Sequence, residues 1–93
     1  MLRKFSIQTT EDASTRTVVT DYNGLIFSIH IFNNNSQDNN CKIYIDNGCT
    51  LYNEVIPAGK SFSIKPEIRL DVETLKFYGE LSGLDVIVQI LED

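Results

Sequence analysis

Cys41-Lys42-Ile43-Tyr44-Ile45-Asp46 alternates apolar and polar side chains, Asn47-Gly48 follows, and a second run covers residues 50–56. Alternation with a period of two marks a strand half-buried against a core. Asn-Gly between two such runs is the strongest short-range sign of a hairpin, since both residues accept the left-handed backbone of a tight turn. The stretch therefore predicts two antiparallel strands. Their register has two solutions. A two-residue turn sets Ile43 and Ile45 on the face of Tyr52 and Thr50, whereas a three- or five-residue loop aligns them with Leu51 and Val55. The second gives the more apolar inner face and is the register expected.

Working outward, the same periodicity recurs almost everywhere. Upstream, residues 25–32 place Leu25, Phe27, Ile29 and Ile31 on one face and Ile26, Ser28, His30 and Phe32 on the other, as in a central strand. Residues 33–40 hold five asparagines with Ser36, Gln37 and Asp38, a composition that cannot drive burial and predicts an exposed loop. Nearer the start, residues 2–8 alternate Phe5 and Ile7 with Lys4, Ser6 and Gln8, and a β-branched run, Thr17 to Thr20, favours another strand. Asp21, Tyr22, Asn23 and Gly24 supply turn chemistry between that run and the central strand.

Downstream, Pro57-Ala58-Gly59 breaks the chain, Phe62 and Ile64 resume it, Pro66 interrupts it, and Ile68 with Leu70 make a short strand. Residues 74–78 and 84–91 form a last pair joined around Gly79 and Gly83; Val86, Val88 and Ile90 face one way, which marks a central strand. No stretch sustains the three-and-four spacing of an amphipathic helix beyond two turns. About eight short strands spaced roughly 8 to 12 residues apart predict an all-β chain, a single antiparallel jelly-roll-like β-sandwich over residues 1–93, with a five-stranded OB barrel as the rival. Residues 1–15 are expected as an edge strand or an arm.

Composition narrows the function. Hydrophobic residues at 42% and charged ones at 23% are those of an ordinary globular chain, so folding needs no cofactor or metal. Thirteen acidic against eight basic residues leave a net charge of −5, which repels nucleic acid and anionic membranes. The basic residues are scattered, with only Arg3 and Lys4 adjacent. Lys4, Ser6 and Gln8 interrupt the first ten residues, so neither a signal peptide nor a spanning helix is expected. Cys41 and Cys49 lie about 15 to 20 Å apart along one predicted hairpin, beyond disulfide reach, and are expected as free thiols.

The reactive side chains form no catalytic constellation. His30 is the only histidine and stands beside Ser28 on a strand, and His30 with Cys41 and Cys49 lacks paired zinc-ligand spacing. Asp38, Asp46, Asp71, Glu73 and Asp85 follow no calcium-loop pattern. Phosphate loops, nucleophile elbows and paired glycosidase carboxylates are likewise missing from the sequence, so a non-enzymatic role is expected. The candidate contact residues are Tyr22, Tyr44, Tyr52 and Tyr78, since tyrosines on outward strand faces anchor protein and carbohydrate contacts. Tyr44 and Tyr52 flank one hairpin and form a patch if both point outward. Asn34 and Asn35 join them through the polar loop, which is either a solvated connection or a segment that orders against a neighbouring subunit.

From Thr17 onward the order of features resembles a family of small β-sandwich domains in tailed-bacteriophage virion proteins. The residues that carry it are the apolar strand of residues 25–33, the polar loop 34–40, the alternating strand 41–46, the turn Ile56-Pro57-Ala58-Gly59, the paired strands 62–70, Thr74-Leu75-Lys76 and the terminal strand 85–91. They span about three quarters of the chain. Val72 and Glu73 stand where that family places Gly-Asp. The resemblance implies a structural component of a phage virion, assembled in the host cytoplasm and docked in many copies on capsid, neck or tail against other virion proteins and copies of itself. Nucleic acid and membrane are not expected partners. The alternative is a carbohydrate-binding or adhesin-type sandwich module that uses the outward tyrosines and the loop at residues 33–40.

Overall fold

The structure, a computed structural model, describes residues 1–46 and 48–93, so the Asn47 half of the expected Asn-Gly turn lies outside the described residues. Its strands are β1 (Leu2–Gln8), β2 (Ser14–Asn33), β3 (Asn39–Ile45), β4 (Thr50–Ile56), β5 (Ser61–Ile64), β6 (Ile68–Gly79) and β7 (Leu84–Glu92). No helix occurs among the described residues. All pairings are antiparallel, in the order β1-β7-β2-β6-β3-β4, with β5 on the remaining edge of β2.

This single hydrogen-bonded sheet folds over on itself. The second half of β2, residues 24–33, lies between β7 and β5, while the first half pairs with β6, which carries β3 and β4. The layer β1-β7-β2-β5 thus faces the layer β2-β6-β3-β4, and the inward side chains merge into one core. Leu84, Val86, Val88 and Ile90 of β7, Ile26, Ile29 and Ile31 of β2, Ile43 and Ile45 of β3, and Leu70, Leu75 and Phe77 of β6 belong to that cluster.

Among the described residues the strands number seven rather than about eight, and two are long: β2 has 20 residues and β6 has 12. The turn residues Asp21 to Gly24 bend β2 without ending it. Val19 pairs with Leu75 and Tyr22 with Glu73, so Thr20 and Asp21 together oppose Thr74; Gly24 pairs with Leu70, so Asp71 and Val72 together oppose Asn23. These are two β-bulges, one on each strand, and bulges are how a sheet turns a corner. Each surplus residue is left-handed, Asp21 at φ 47° and Val72 at φ 50°. Each has its spare N–H taken by the side chain opposite: Asp21 N–H donates to Thr74 Oγ1 at 3.2 Å and Val72 N–H to Asn23 Oδ1 at 2.9 Å. At Gly24 three strands converge; a Cβ there would lie 2.7 Å from Ile90 Cγ2 and 2.8 Å from the Leu91 carbonyl.

Three other expectations are corrected. The register irregularity at Phe27 brings both Ile26 and Ile29 inward and leaves Phe27 exposed, breaking the simple alternation expected over residues 25–32. Strands β6 and β7 do not pair with each other, because β2 runs between them; residues 80–83 cross from one layer to the other. In the β3–β4 hairpin Ile43 pairs with Tyr52, with an irregularity between Ile43 and Tyr44, so Tyr52 and Ile56 line the core and Val55 faces solvent. The register with Leu51 and Val55 inward loses because burying Tyr52 removes more apolar surface from water than burying Val55 does.

Candidate functional site

The open side of the sandwich lies between β4 and β5. Strand β4 ends its layer and β5 ends the other, so both present a backbone edge without a neighbouring strand among the described residues. The two edges lie over one another: the Tyr52 ring of β4 sits 5.5 Å from the Phe62 ring of β5. A groove of about 570 Å³ runs along this side, walled by β4 and Pro57 on one flank and by Ser61 and Phe62 on the other. Val55 is 57% and Phe62 49% exposed there. Exposed apolar side chains beside unpaired backbone groups make a surface suited to receiving another strand.

The residues that line the groove include no histidine or cysteine. Cys41, behind β4, is fully buried, and burial pushes its thiol from 9.0 up to about 12. Tyr52 is also raised, first by burial, then by Cys41 and Glu54. A thiol held protonated is a poor nucleophile. Cys49 is exposed, and neither cysteine is in a disulfide. Among the described residues no cluster of histidine, cysteine and carboxylates could hold a metal ion. His30 lies on the outer face opposite Ser63 and hydrogen-bonds its hydroxyl.

The four tyrosines do not form one patch. Tyr52 is 8% exposed and points inward, so the expected outward pair of Tyr44 and Tyr52 does not exist. Tyr22 fixes the corner: its ring meets Phe5 edge-on at 5.7 Å and its hydroxyl donates to Glu92 at 2.7 Å. Burial, then that hydrogen bond, raises its pKa. Tyr44 and Tyr78 do share the outer face of β3 and β6. Lys42 pairs with Tyr78 and Tyr44 with Lys76, a checkerboard in which Lys42 also lies 5.2 Å over the Tyr44 ring and Lys76 bridges to Asp46 at 3.1 Å.

The asparagine-rich segment is exposed at residues 34 and 36–38, as expected, but is anchored from within. Its side chains bind this same chain. Asn33 and Asn39 are fully buried. The Asn33 amide donates to the Gln37 and Ile56 carbonyls; the Asn39 amide donates to Leu81 O at 2.9 Å, and its oxygen accepts from Leu81 N–H at 2.8 Å. Asn35 donates to Ser82 O and accepts from Gln37 N–H, while Asn34 is exposed and its backbone N–H donates to Gly83 O. Buried Thr9 completes the closure, donating to Leu81 O and accepting from Leu84 N–H. One signal in the sequence could have located this net: Asn33 continues the inward phase of Ile29 and Ile31, Asn39 that of Cys41 and Ile43, and Thr9 that of Phe5 and Ile7.

No family model matches the chain, and no curated protein sequence matches it. Solved structures share the fold. The Drosophila NLP-core, described for its pentamer formation and histone binding, aligns with a TM-score of 0.55 at 13% identity over 97% of this chain and 95% of its own. A subunit of Bacillus endospore appendages, described as disulfide-linked pili, aligns at 0.53 and 14% identity over 100% of this chain and 88% of that one. The Podospora anserina GH26-CBM35 β-(1,4)-mannanase aligns at 0.55 and 11% identity over 99% of this chain, which spans only 28% of that one. Identities this low carry the fold and nothing more. The chain is an all-β antiparallel sandwich of a shape that recurs in subunits of assemblies and in a carbohydrate-active enzyme.

Proposed function

We propose that this chain is a non-enzymatic structural subunit that docks in many copies into a larger particle, specifically a component of a tailed-phage virion on capsid, neck or tail. The observation that carries the reading is the open side between β4 and β5, where two free backbone edges and the exposed Val55 and Phe62 lie together. A protein that stays solitary usually covers such an edge, whereas a repeated subunit uses it. Many modest contacts of this kind sum to a durable assembly. The pentamer-forming and pilus-forming neighbours support use of the fold in assemblies. Its order of sequence features resembles that of phage virion sandwiches, which supports the finer reading.

Quantitative mass spectrometry of purified particles tests this. The expected result is the chain at a multiple copy number fixed relative to the major structural protein; its absence from particles overturns the virion reading. A second reading, a carbohydrate-binding module, is favoured by the outer checkerboard of Lys42, Tyr44, Lys76 and Tyr78. Glycan-array binding that disappears in Tyr44→Ala would establish it in place of the first.

A further inference from the structure

We propose that two copies of this chain pair their β4 strands antiparallel about a two-fold axis passing through Asn53, so that the β4 layer of the sandwich continues from one copy into the other. This rests on the structural-subunit reading and names one contact of the assembly. Three observations lead to it.

The first is which edge lies unprotected. Strand β1 carries Arg3 and Lys4, and β5 is four residues long with Lys60 before it and Lys65-Pro66 after it. Lysine, proline and shortness are the devices that keep edges from pairing. Strand β4 has none of these three: it is seven residues long, Glu54 is its only charge, and its one irregularity is the bulge at Leu51 near its start. On a chain of net charge −5 this edge therefore costs little repulsion when copies meet.

Register supplies the second. Residues that face each other in an antiparallel pair point their backbone groups alike, so a two-fold axis relating copies of one strand must fall on a residue. With the axis on Glu54, two carboxylates oppose each other. With it on Tyr52, Glu54 meets Thr50 and Val55 is left near the end without a partner. With it on Asn53, Leu51 meets Val55 of the second copy twice over, Tyr52 meets its Glu54, and Thr50 meets its Ile56. About the centre of Thr50-Leu51-Tyr52-Asn53-Glu54-Val55-Ile56, the pair Leu51–Val55 is apolar on both sides and no like charges meet. This register alone covers the exposed Val55 and sets each Glu54 beside a tyrosine rather than a like charge.

The third is that β5 lies beneath β4, with Phe62 half exposed against Tyr52. Joining the β4 edges brings the second copy over this side, and Phe62 is covered while the shorter, lysine-flanked β5 edge stays unpaired.

Cysteine trapping in the full chain tests the axis directly. In a Cys49→Ser background, Asn53→Cys puts two thiols on one rung, where Cα atoms lie about 4.5 to 5.5 Å apart, within disulfide range. Mild oxidation should convert most of Asn53→Cys to covalent dimer, at least about tenfold faster than Val55→Cys alone, and a mixture of Leu51→Cys with Val55→Cys should cross-link between the two variants. Sedimentation of the unmodified chain, which needs no variant to fold, should show a dimer at ~0.1 mM, well above a micromolar Kd, and Val55→Lys should return it to monomer. A monomer at that concentration, or Asn53→Cys linking no faster than a Lys4→Cys control on β1, overturns the proposal. The outcomes separate cleanly: particles that contain a chain without this dimer refute the contact but keep the function, and a dimer absent from all particles does the reverse.

Discussion

The two sides of this sandwich treat polar atoms in opposite ways. Around residues 79–84 the crossing segment is tied down, because Asn33, Asn39, Thr9 and Asn35 turn their side chains inward and take up its carbonyls and N–H groups and those of its neighbours; the Ser14 hydroxyl opposite Gly79 is the exception among the described residues. Along β4 and β5 the backbone edge meets solvent and apolar side chains stand beside it. A closed end must be finished within one chain, since an unsatisfied buried group costs about 1–3 kcal/mol. An edge can be left for another molecule to complete. The contrast separates what the chain uses to fold from what it offers to a neighbour.

That contrast can be broken most strongly at Cys41, which pairs with Gly79 on the closed side and Glu54 on the open one. Its thiol is pushed from 9.0 up to about 12 by burial. The unfolded chain ionises first, so stability is intact below pH 9 and is lost as pH rises toward 12. At about 1.4 kcal/mol per pH unit the loss is on the order of 4 kcal/mol. Urea titrations should show this slope in the natural chain and a much shallower one in Cys41→Ala, whose residual slope comes from Tyr22 and Tyr52.

Next in size is Asn39→Ala. It strands Leu81 N–H, while Leu81 O keeps the Thr9 hydroxyl, and should cost about 2–3 kcal/mol by equilibrium urea unfolding. Asn34→Ala, on the exposed part of the same loop, should stay within about 0.5 kcal/mol. Gly79→Ala comes third. Its Cβ would lie 2.9 Å from both Leu84 Cδ1 and Thr9 Cγ2, an overpacking that should cost about 1–3 kcal/mol. The smallest effect belongs to the open side: Val55→Ala should change the unfolding free energy of the monomer by no more than about 0.5 kcal/mol. Equal losses at Asn39 and Val55 would erase the distinction between the two sides.

How far the sequence reveals this arrangement depends on whether the information is local. The period-two runs place β3 and β7 correctly because burial on one face imposes alternation directly, and they give the span of β4 but not its inward face. The bend in β2 is not legible, since Asp21-Tyr22-Asn23-Gly24 has the chemistry of a turn and only the distant partners Thr74 and Glu73 decide that the strand continues. The hairpin register is hidden for a similar reason: Tyr52 and Val55 compete for the core, and the Phe62 ring that meets Tyr52 lies in another strand. Reading residues 33–40 by composition alone gives a solvated loop. Reading them by phase, as extensions of the apolar runs on either side, would have placed Asn33 and Asn39 inside. The tyrosines identified from the sequence include one pair that shares an outer face, Tyr44 and Tyr78, but the open edge depends on which strands end the sheet, and that is a property of topology.

The corner shared by β2 and β6 has a mechanical consequence. Because both strands run unbroken from one layer to the other, a pull that tries to peel the layers apart loads covalent main chain at residues 19–24 and 70–75 instead of sliding side chains past one another. A brick hinged this way can be tugged through its outer edges and still hold its shape.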